Sequence, residues 1–255
     1  MRKQFLDWST RELPQVVTVL AEQAFRDTLF HDPPKTYNLA VFESLIADIS
    51  DCLILFPETP GAFAEMGLFS ATKVGSKVLI VNDLRYQAVD SFANLGPIST
   101  INRKSFLCPT LHVNADGPGD IDFSPVKVRL ERLMARKKRR SLVYRAYREL
   151  TRLEKFLIIM EIINLVHVTS LFGLMQCIRA AFDSFKANEI KQLLSILVGS
   201  NCVERLDRDF YVLTKGTRSG LEFEGADIRD IKARVLHYYR KQNPVYYDLA
   251  TGKRP

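Results

Sequence analysis

The sequence predicts an α/β fold, in which a parallel-sheet domain is followed by a mostly helical domain. Three observations predict it. Short apolar segments alternate with segments of helical spacing through the first half of the chain, a pattern typical of parallel sheets. A segment rich in Pro, Gly and Asp follows, and beyond it helical patterns dominate. The composition, 47% hydrophobic and 25% charged over 255 residues, is that of a globular protein with one or two cores.

The first half alternates helices with buried strands. Residues 2–30 are predicted to be helical, with a break or a new helix start near Pro14. Apolar residues then recur at helical spacing through 39–49. Buried strands are predicted at 52–56, 77–83 and 106–113, with a helix at 63–73 between the first two. Ligands bind beyond the carboxyl ends of such strands, and residues 57–61 lie at one of these ends.

The second half is predicted to be winged-helix-like. The segment "NADGPGDIDFSP" at 114–125 is the predicted linker, which places one domain at 1–118 and another at 119–255. Helices followed by a small hairpin are typical of winged-helix modules. The predicted elements are a helix-rich region at 126–185, an amphipathic helix at 188–198, a two-stranded ribbon at 202–214 with a charged turn at 207–209, and a basic amphipathic helix at 228–240.

Composition and charge argue against several classes of protein. The four cysteines and four histidines are scattered and form no CxxC pair, so no metal site is expected. No apolar run approaches the ~18 residues that a membrane-spanning helix needs. The charged start of the chain lacks the apolar segment of a signal peptide. We therefore expect a cytoplasmic protein without a membrane partner.

The stretch "LILFPETPGAFAEMG" at 53–67 contains the strongest candidate site. A glycine turn after a strand lets a ligand approach the backbone closely, and the N-terminus of the following helix suits a phosphate or a sugar hydroxyl. Glu65 lies about one turn into that helix, where its carboxylate can reach the same cavity. A favourable charge position in the first turn is the alternative interpretation of Glu65, and spacing alone leaves both open.

The segment from Asp51 to Val81 resembles the nucleoside 2-deoxyribosyltransferase-like family, which has a Rossmann-like parallel sheet. In that family an acidic residue in a G-x-x-x-E-hydrophobic-G pattern attacks the anomeric carbon of a nucleoside. More closely, the chain resembles effector proteins of bacterial retrons, which join this fold to a winged-helix-like DNA-binding region. The matching segments are "FPETPGAFAEMG", "SFANLGPI" at 91–98 and the basic helical half. Because a helical pattern follows Met1 directly, we expect the family's usual first strand to be missing from this sequence, through a late start, a truncation or a true variant.

The resemblance implies roles for individual residues. Glu65 would be the catalytic carboxylate, which stabilises positive charge at C1′ or forms a covalent ribosyl-enzyme. Glu58 would bind sugar hydroxyls or place a water, and a solvated turn residue is the alternative. Asn94 would hydrogen-bond the ligand, and a loop-structural role is the alternative. The predicted substrate-binding residues are Glu58, Pro60, Gly61, Ala62 and Asn94.

Positive charge is concentrated in one segment. Residues 126–155 contain twelve Lys or Arg and three Glu, a net charge of +9, against −2 for the rest of the chain. Lys and Arg that neutralise phosphates give salt-dependent nucleic-acid binding, and a solvated helix face is the alternative. The predicted nucleic-acid-binding residues, placed on one helix, are Arg129, Arg132, Arg136, Lys137, Lys138, Arg139, Arg140, Arg145 and Arg148. The resemblance implies a partner, the retron's msDNA (a single-stranded DNA–RNA hybrid) bound to its reverse transcriptase.

Two functional hypotheses follow. The first is a toxin effector of an anti-phage defence system, an N-glycosidase that cleaves NAD or another nucleotide without a cofactor and is held inactive by the msDNA–reverse transcriptase complex. The second is a non-catalytic, nucleotide-sensing and DNA-binding regulatory module, which the missing first strand favours. A phosphoribohydrolase of the cytokinin-activating type lacks its expected PGGxGT run. Relatives of this fold often complete their pockets across subunits, so a homo-oligomer or higher assembly is expected.

Overall fold

The computed structural model describes residues 1–31, 39–116, 119–135, 140–141, 143–182, 184–206, 210–217, 221–222 and 227–253. The helices are α1 (Arg2–Glu12), α2 (Ala21–His31), α3 (Leu39–Ile49), α4 (Pro60–Ala71), α5 (Ser99–Lys104), α6 (Ser124–Ala135), α7 (Arg152–Val166), α8 (Leu171–Ala181), α9 (Ala187–Gly199), α10 (Ile228–Gln242) and α11 (Pro244–Ala250). The strands are β1 (Leu53–Leu55), β2 (Val78–Asp83), β3 (Leu111–Val113), β4 (Arg140–Ser141), β5 (Val168–Ser170), β6 (Val203–Leu206), β7 (Phe210–Leu213) and β8 (Leu221–Glu222).

The chain forms two compact units. The first contains Met1–Val16 and Ser50–Lys138, and the second contains Val17–Ile49 and Arg139–Pro255. This division differs from the boundary predicted at residue 118. Helices α2 and α3 belong to the second unit because their apolar faces pack into its core, whereas residues 119–138 belong to the first.

A three-stranded parallel sheet forms the centre of the first unit. Its strand order is β1-β2-β3, and β2 pairs in parallel with both neighbours. All six residues of β2 are buried, as expected for a central strand covered on both faces. This confirms an α/β fold with a parallel sheet. The third strand is shorter than predicted, since only Leu111–Val113 of the segment 106–113 is extended in the sheet.

Aromatic side chains from both ends of the first unit's sequence meet in its core. The ring of Phe5 on α1 lies 5.3 Å from those of Phe56 and Phe123, centroid to centroid. Phe123 and Ile121 are buried with Leu79 of β2. The prediction that 114–125 is a linker is therefore wrong for its second half, which is anchored in the core. Apolar residues in a Pro-, Gly- and Asp-rich segment were the sequence signal against an exposed linker.

The second unit has its own core and a small antiparallel sheet. Elements α7, β5, α8, α9, β6 and β7 follow one another in the chain, and the strands lie in the order β5-β7-β6. The predicted ribbon at 202–214 corresponds to the β6–β7 hairpin, whose predicted turn at 207–209 lies outside the described residues. Strand β5 was not predicted, because three residues are too few to show a periodicity.

The basic segment is not one helix, as the sequence had suggested. Helix α6 ends at Ala135, and the next helix, α7, begins only after Thr151. Thr151 and Glu154 form a capping box, in which each side chain accepts a hydrogen bond from the other's backbone N–H. The Thr-x-x-Glu pattern before an apolar run was a sequence signal for this helix start. Among the described helices none combines the length and apolar character that crossing a membrane requires.

Candidate active site

Helix α4 begins directly after the carboxyl end of β1. Thr59 is its N-cap, and the Thr59 hydroxyl accepts a hydrogen bond from the Ala62 N–H at 3.2 Å. Pro60 occupies the first helical position, where its missing N–H costs nothing. The helix therefore starts three residues before the predicted residue 63. Because Ala62 is capped and Pro60 has no N–H, a ligand would find the Gly61 N–H as the remaining donor of this first turn.

Glu65 lies in the middle of α4 and is half-buried. On one side of it along the helix surface is the buried Met66, and on the other is Leu68, which is 41% exposed. A carboxylate at such a border is accessible to a ligand and partly shielded from bulk water. This is the environment that a nucleophilic carboxylate needs.

The outward face of α4 is apolar and carries two glycines. Phe63 and Leu68 are exposed there. A methyl group added at Gly67 would meet no atom within 4 Å, and one at Gly61 would meet the Thr59 hydroxyl at 3.9 Å, an ordinary contact. Packing within the described chain therefore does not require glycine at either position, although an exposed glycine in a helix costs about 0.5–1 kcal/mol relative to alanine.

Glu58, the second carboxylate of the motif, is engaged within the chain. Its oxygens accept hydrogen bonds from the Met1 ammonium at 2.7 Å and from the Arg2 N–H at 3.0 Å. Partial burial raises the pKa of Glu58, but these hydrogen bonds and the nearby positive charges more than offset it, so the pKa lies below its ordinary value. A sugar hydroxyl would have to compete with these partners for Glu58.

Asn94 stabilises the loop between β2 and α5. Its side-chain amide donates hydrogen bonds to the carbonyls of Tyr86 and Val89, both at 2.7 Å. This arrangement is the loop-structural alternative considered for Asn94. The predicted ligand contact stays a prediction, and it would have to use the carbonyl oxygen of the side chain.

Sequence analysis missed a third carboxylate at the same edge of the sheet. Asp83 ends β2, is buried, and accepts hydrogen bonds from the Arg85 guanidinium at 2.6 and 3.0 Å and from the Arg85 N–H at 2.9 Å. The hydrogen bond from the guanidinium holds the pKa of Asp83 below its ordinary value. An acid at the end of a buried strand was the sequence signal, and a similar position near a strand end had selected Glu58.

Two of the predicted nucleic-acid-binding arginines make contacts inside the chain. The Arg129 guanidinium donates to the carbonyls of Leu107 and Cys108. Arg145 forms an ion pair with Glu154. These side chains would have to give up internal partners in order to bind a phosphate.

The other predicted basic residues are divided between the two units. Arg132 on α6 is exposed and belongs to the first unit, whereas the exposed Arg148 belongs to the second. The consecutive basic residues Arg136, Lys137, Lys138 and Arg139 lie outside the described residues, as does the side chain of Arg140.

The family of the chain follows from a match between a family model and most of its sequence. Residues 1–205 match the model of a family described as the STM3845 retron effector protein. The chain belongs to this family of retron effectors. The match covers the parallel sheet, α4 with Glu65, and the second unit as far as β6.

Two curated proteins of Escherichia coli are similar to part of this retron effector. The one from retron Ec86 is 34% identical over 105 residues, which are 39% of this chain and 34% of the relative. The one from retron Ec73 is 30% identical over 105 residues, 41% of this chain and 33% of the relative. Both carry the provisional name ribosyltransferase/DNA-binding protein. The matches span about a third of the length of these relatives.

The second unit of the retron effector contains a cavity that sequence analysis did not predict. Its volume is about 390 Å³, and Asn164, His167 and Lys232 are among the residues that line it. The Lys232 ammonium donates to the Asn164 side-chain oxygen at 2.6 Å, and burial lowers the pKa of His167. None of the predicted site residues lines this cavity. Asn164 and His167 lie at the end of α7 and Lys232 lies on α10, so no spacing in the sequence connects the lysine to the other two.

Proposed function

We propose that this retron effector is an N-glycosidase that uses Glu65 to cleave the bond between base and ribose in a nucleotide, with NAD as the expected substrate. The observation that carries the proposal is the position of Glu65, half-buried on the helix that follows the first strand of a parallel sheet. Ligands of such sheets bind at the carboxyl ends of the strands. The ribosyltransferase part of the relatives' names supports a reaction at the anomeric carbon.

The reaction takes place in two balanced steps. In the first, a carboxylate oxygen of Glu65 forms a bond to C1′ while the C1′–N bond breaks and its electron pair leaves with the base. In the second, water attacks C1′, the bond from C1′ to Glu65 breaks, and a proton from the water is released to solvent. The products are the free base and a ribose hydroxyl, and the carboxylate is regenerated.

NAD is favoured because its leaving group needs no proton. The nicotinamide ring nitrogen of NAD is positively charged, so the base leaves as a neutral molecule. A purine or pyrimidine nucleoside requires a general acid instead. Glu58, the other carboxylate of the motif, has a lowered pKa and is therefore ionised at neutral pH, which makes it a poor acid.

The second unit supplies the proposed link to the retron. The order helix–strand–helix–helix–hairpin from α7 to β7, with strands arranged β5-β7-β6, supports a winged helix. The DNA-binding part of the relatives' names supports a nucleic-acid partner. In the proposed system the msDNA–reverse transcriptase complex holds the effector inactive. When the effector is released from this complex, it acts as a toxin that stops the growth of an infected cell.

Release of base from NAD by the purified chain tests the proposed activity. We expect free nicotinamide from NAD, detected by chromatography, and less of it when the msDNA–reverse transcriptase complex is added. Glu65→Gln removes the charge that stabilises the transition state, so the rate should fall by about 10²–10³-fold or more. Glu131→Gln, an exposed position on α6, is the matched control and should keep full activity. Equal activity of the two variants would exclude Glu65 as the catalyst.

The non-catalytic regulatory module is the second candidate. The observation that favours it is that Glu58, Asn94 and the Ala62 N–H all have partners inside the chain, which leaves fewer groups for a nucleotide. In that case a panel of nucleotides would yield no free base, with or without the retron complex, while NAD or another nucleotide still raised the melting temperature of the protein.

A further inference from the structure

In a winged helix the third helix usually enters the major groove of DNA. If α7 to β7 form a winged helix, as proposed above, this recognition helix is α9. Its residues 193–197 are all buried, and the described residues that are well exposed on it, Ala187 and Asn188, lie in its first turn. Helix α9 is therefore packed on most of its circumference, unlike a helix that enters a groove.

Helix α2 of the same chain covers α9. The two helices pack along each other within the second unit, and Ala24 of α2 is completely buried. At Gly199 a methyl group would lie 2.5 Å from the Ala24 Cα atom, so only glycine permits this approach. Neither helix can move away without exposing buried apolar surface. The groove-binding surface of a conventional winged helix is thus occupied by the chain itself.

Basic side chains are instead presented by α10. Arg229 and Arg240 lie on one exposed line of this helix, three turns apart. Lys241 lies further round the exposed side, and the 61% exposed ring of Tyr238 lies at the far edge of that side. Arg234 is also exposed, but it forms an ion pair with Asp230 at 2.6 Å. The remaining side of the helix carries Val235, Leu236 and Tyr239, which are partly buried within the second unit.

We propose that the exposed face of α10, rather than α9, binds the phosphodiester backbone of a nucleic acid. This inference rests on the proposed nucleic-acid partner. Charge complementarity supports it, because arginine and lysine side chains spaced along an exposed helix neutralise phosphates at separate points of a nucleic-acid backbone. The Tyr238 ring supplies a surface on which an unpaired base can stack. Binding through this face is largely independent of base sequence, since no side chain enters a groove.

Binding of fluorescein-labelled oligonucleotides, single-stranded and duplex, tests the assignment in the full chain. Fluorescence anisotropy is measured at a series of salt concentrations for the wild type and three double variants. The α10 variant is Arg229→Gln with Arg240→Gln. The α9 variant is Lys186→Gln with Lys191→Gln. The matched control, which removes two exposed arginines of the first unit, is Arg11→Gln with Arg103→Gln. Circular dichroism confirms that each variant is folded.

The α10 variant should lose two phosphate contacts. The slope of log affinity against log salt should then be shallower by about 1.4 on single strands or about 1.8 on duplex, while the α9 and control variants keep the wild-type slope. A wild-type slope in the α10 variant would overturn the assignment and leave the proposed nucleic-acid partner standing. Failure of the wild type to bind either probe would contradict both the assignment to α10 and the proposed nucleic-acid partner.

Discussion

Three carboxylates near the carboxyl edge of the parallel sheet differ in position, since two lie at or near strand ends and one lies on a helix. Glu58 lies three residues after β1, Asp83 is the last residue of β2, and both accept several hydrogen bonds from nearby backbone and cationic groups. Glu65 is set back in the middle of α4, where its side chain is half-buried. The hydrogen bonds of Glu58 and Asp83 thus stabilise local structure, and Glu65 is the carboxylate that we propose to act on a ligand.

Asp83 should contribute stability that depends on pH. Its pKa is lowered in the folded state, so this contribution is present above the unfolded value of about 3.9 and is lost as the pH falls through the folded pKa. Asp83→Asn keeps an oxygen that can accept from the Arg85 N–H but removes the charge. In urea unfolding the variant should be less stable than the wild type at pH 7, and the difference should shrink below about pH 4. The exposed Asp7→Asn is the control, and a difference that is constant with pH would contradict this role.

Most helices and the central strands could be predicted from the sequence, because each has a local signal. Helix α3 begins and ends where the apolar spacing does, and β2 is an uninterrupted apolar run. The non-α-helical structure of the described residues 140–141 and 143–151 was missed because the preceding run of Lys and Arg has no turn residues and fits a helix equally well. The engagement of Glu58 could not be predicted, because its partners Met1 and Arg2 are distant in the chain and meet it only through tertiary packing. The loop-structural role of Asn94 was one of the two alternatives that the sequence left open.

The contact between α2 and α9 predicts how substitution of Gly199 changes the stability of the protein. In Gly199→Ala the added methyl group would overlap the backbone of Ala24, so the helices must separate, at a cost of about 1–3 kcal/mol. The midpoint of urea unfolding should fall accordingly. Gly67→Ala on the open face of α4 is the matched control, and it should be neutral or stabilise by up to about 1 kcal/mol. Equal effects of the two substitutions would show that α2 does not constrain α9.

At the scale of the whole molecule, the sequence indicated two domains but not which segments belong to each. Helices α2 and α3 precede the parallel sheet in the chain, yet their described apolar residues pack into the core of the second unit. An amphipathic helix reveals that one of its faces is buried, but it does not reveal against what. The same ambiguity assigned the α6 region to the second domain, although its Val126 and Leu130 complete the first core.

The two cores have no residue in common, so we expect them to unfold in separable transitions. Trp8 is the single tryptophan and packs against the first core, so its fluorescence reports that unit, whereas far-ultraviolet circular dichroism reports both. Leu79→Ala in the first core should cost about 2–5 kcal/mol and shift the fluorescence transition to lower urea. Ile163→Ala in the second core should shift a circular-dichroism transition and leave the fluorescence transition in place. If both substitutions shift a single common transition equally, the units fold as one cooperative body.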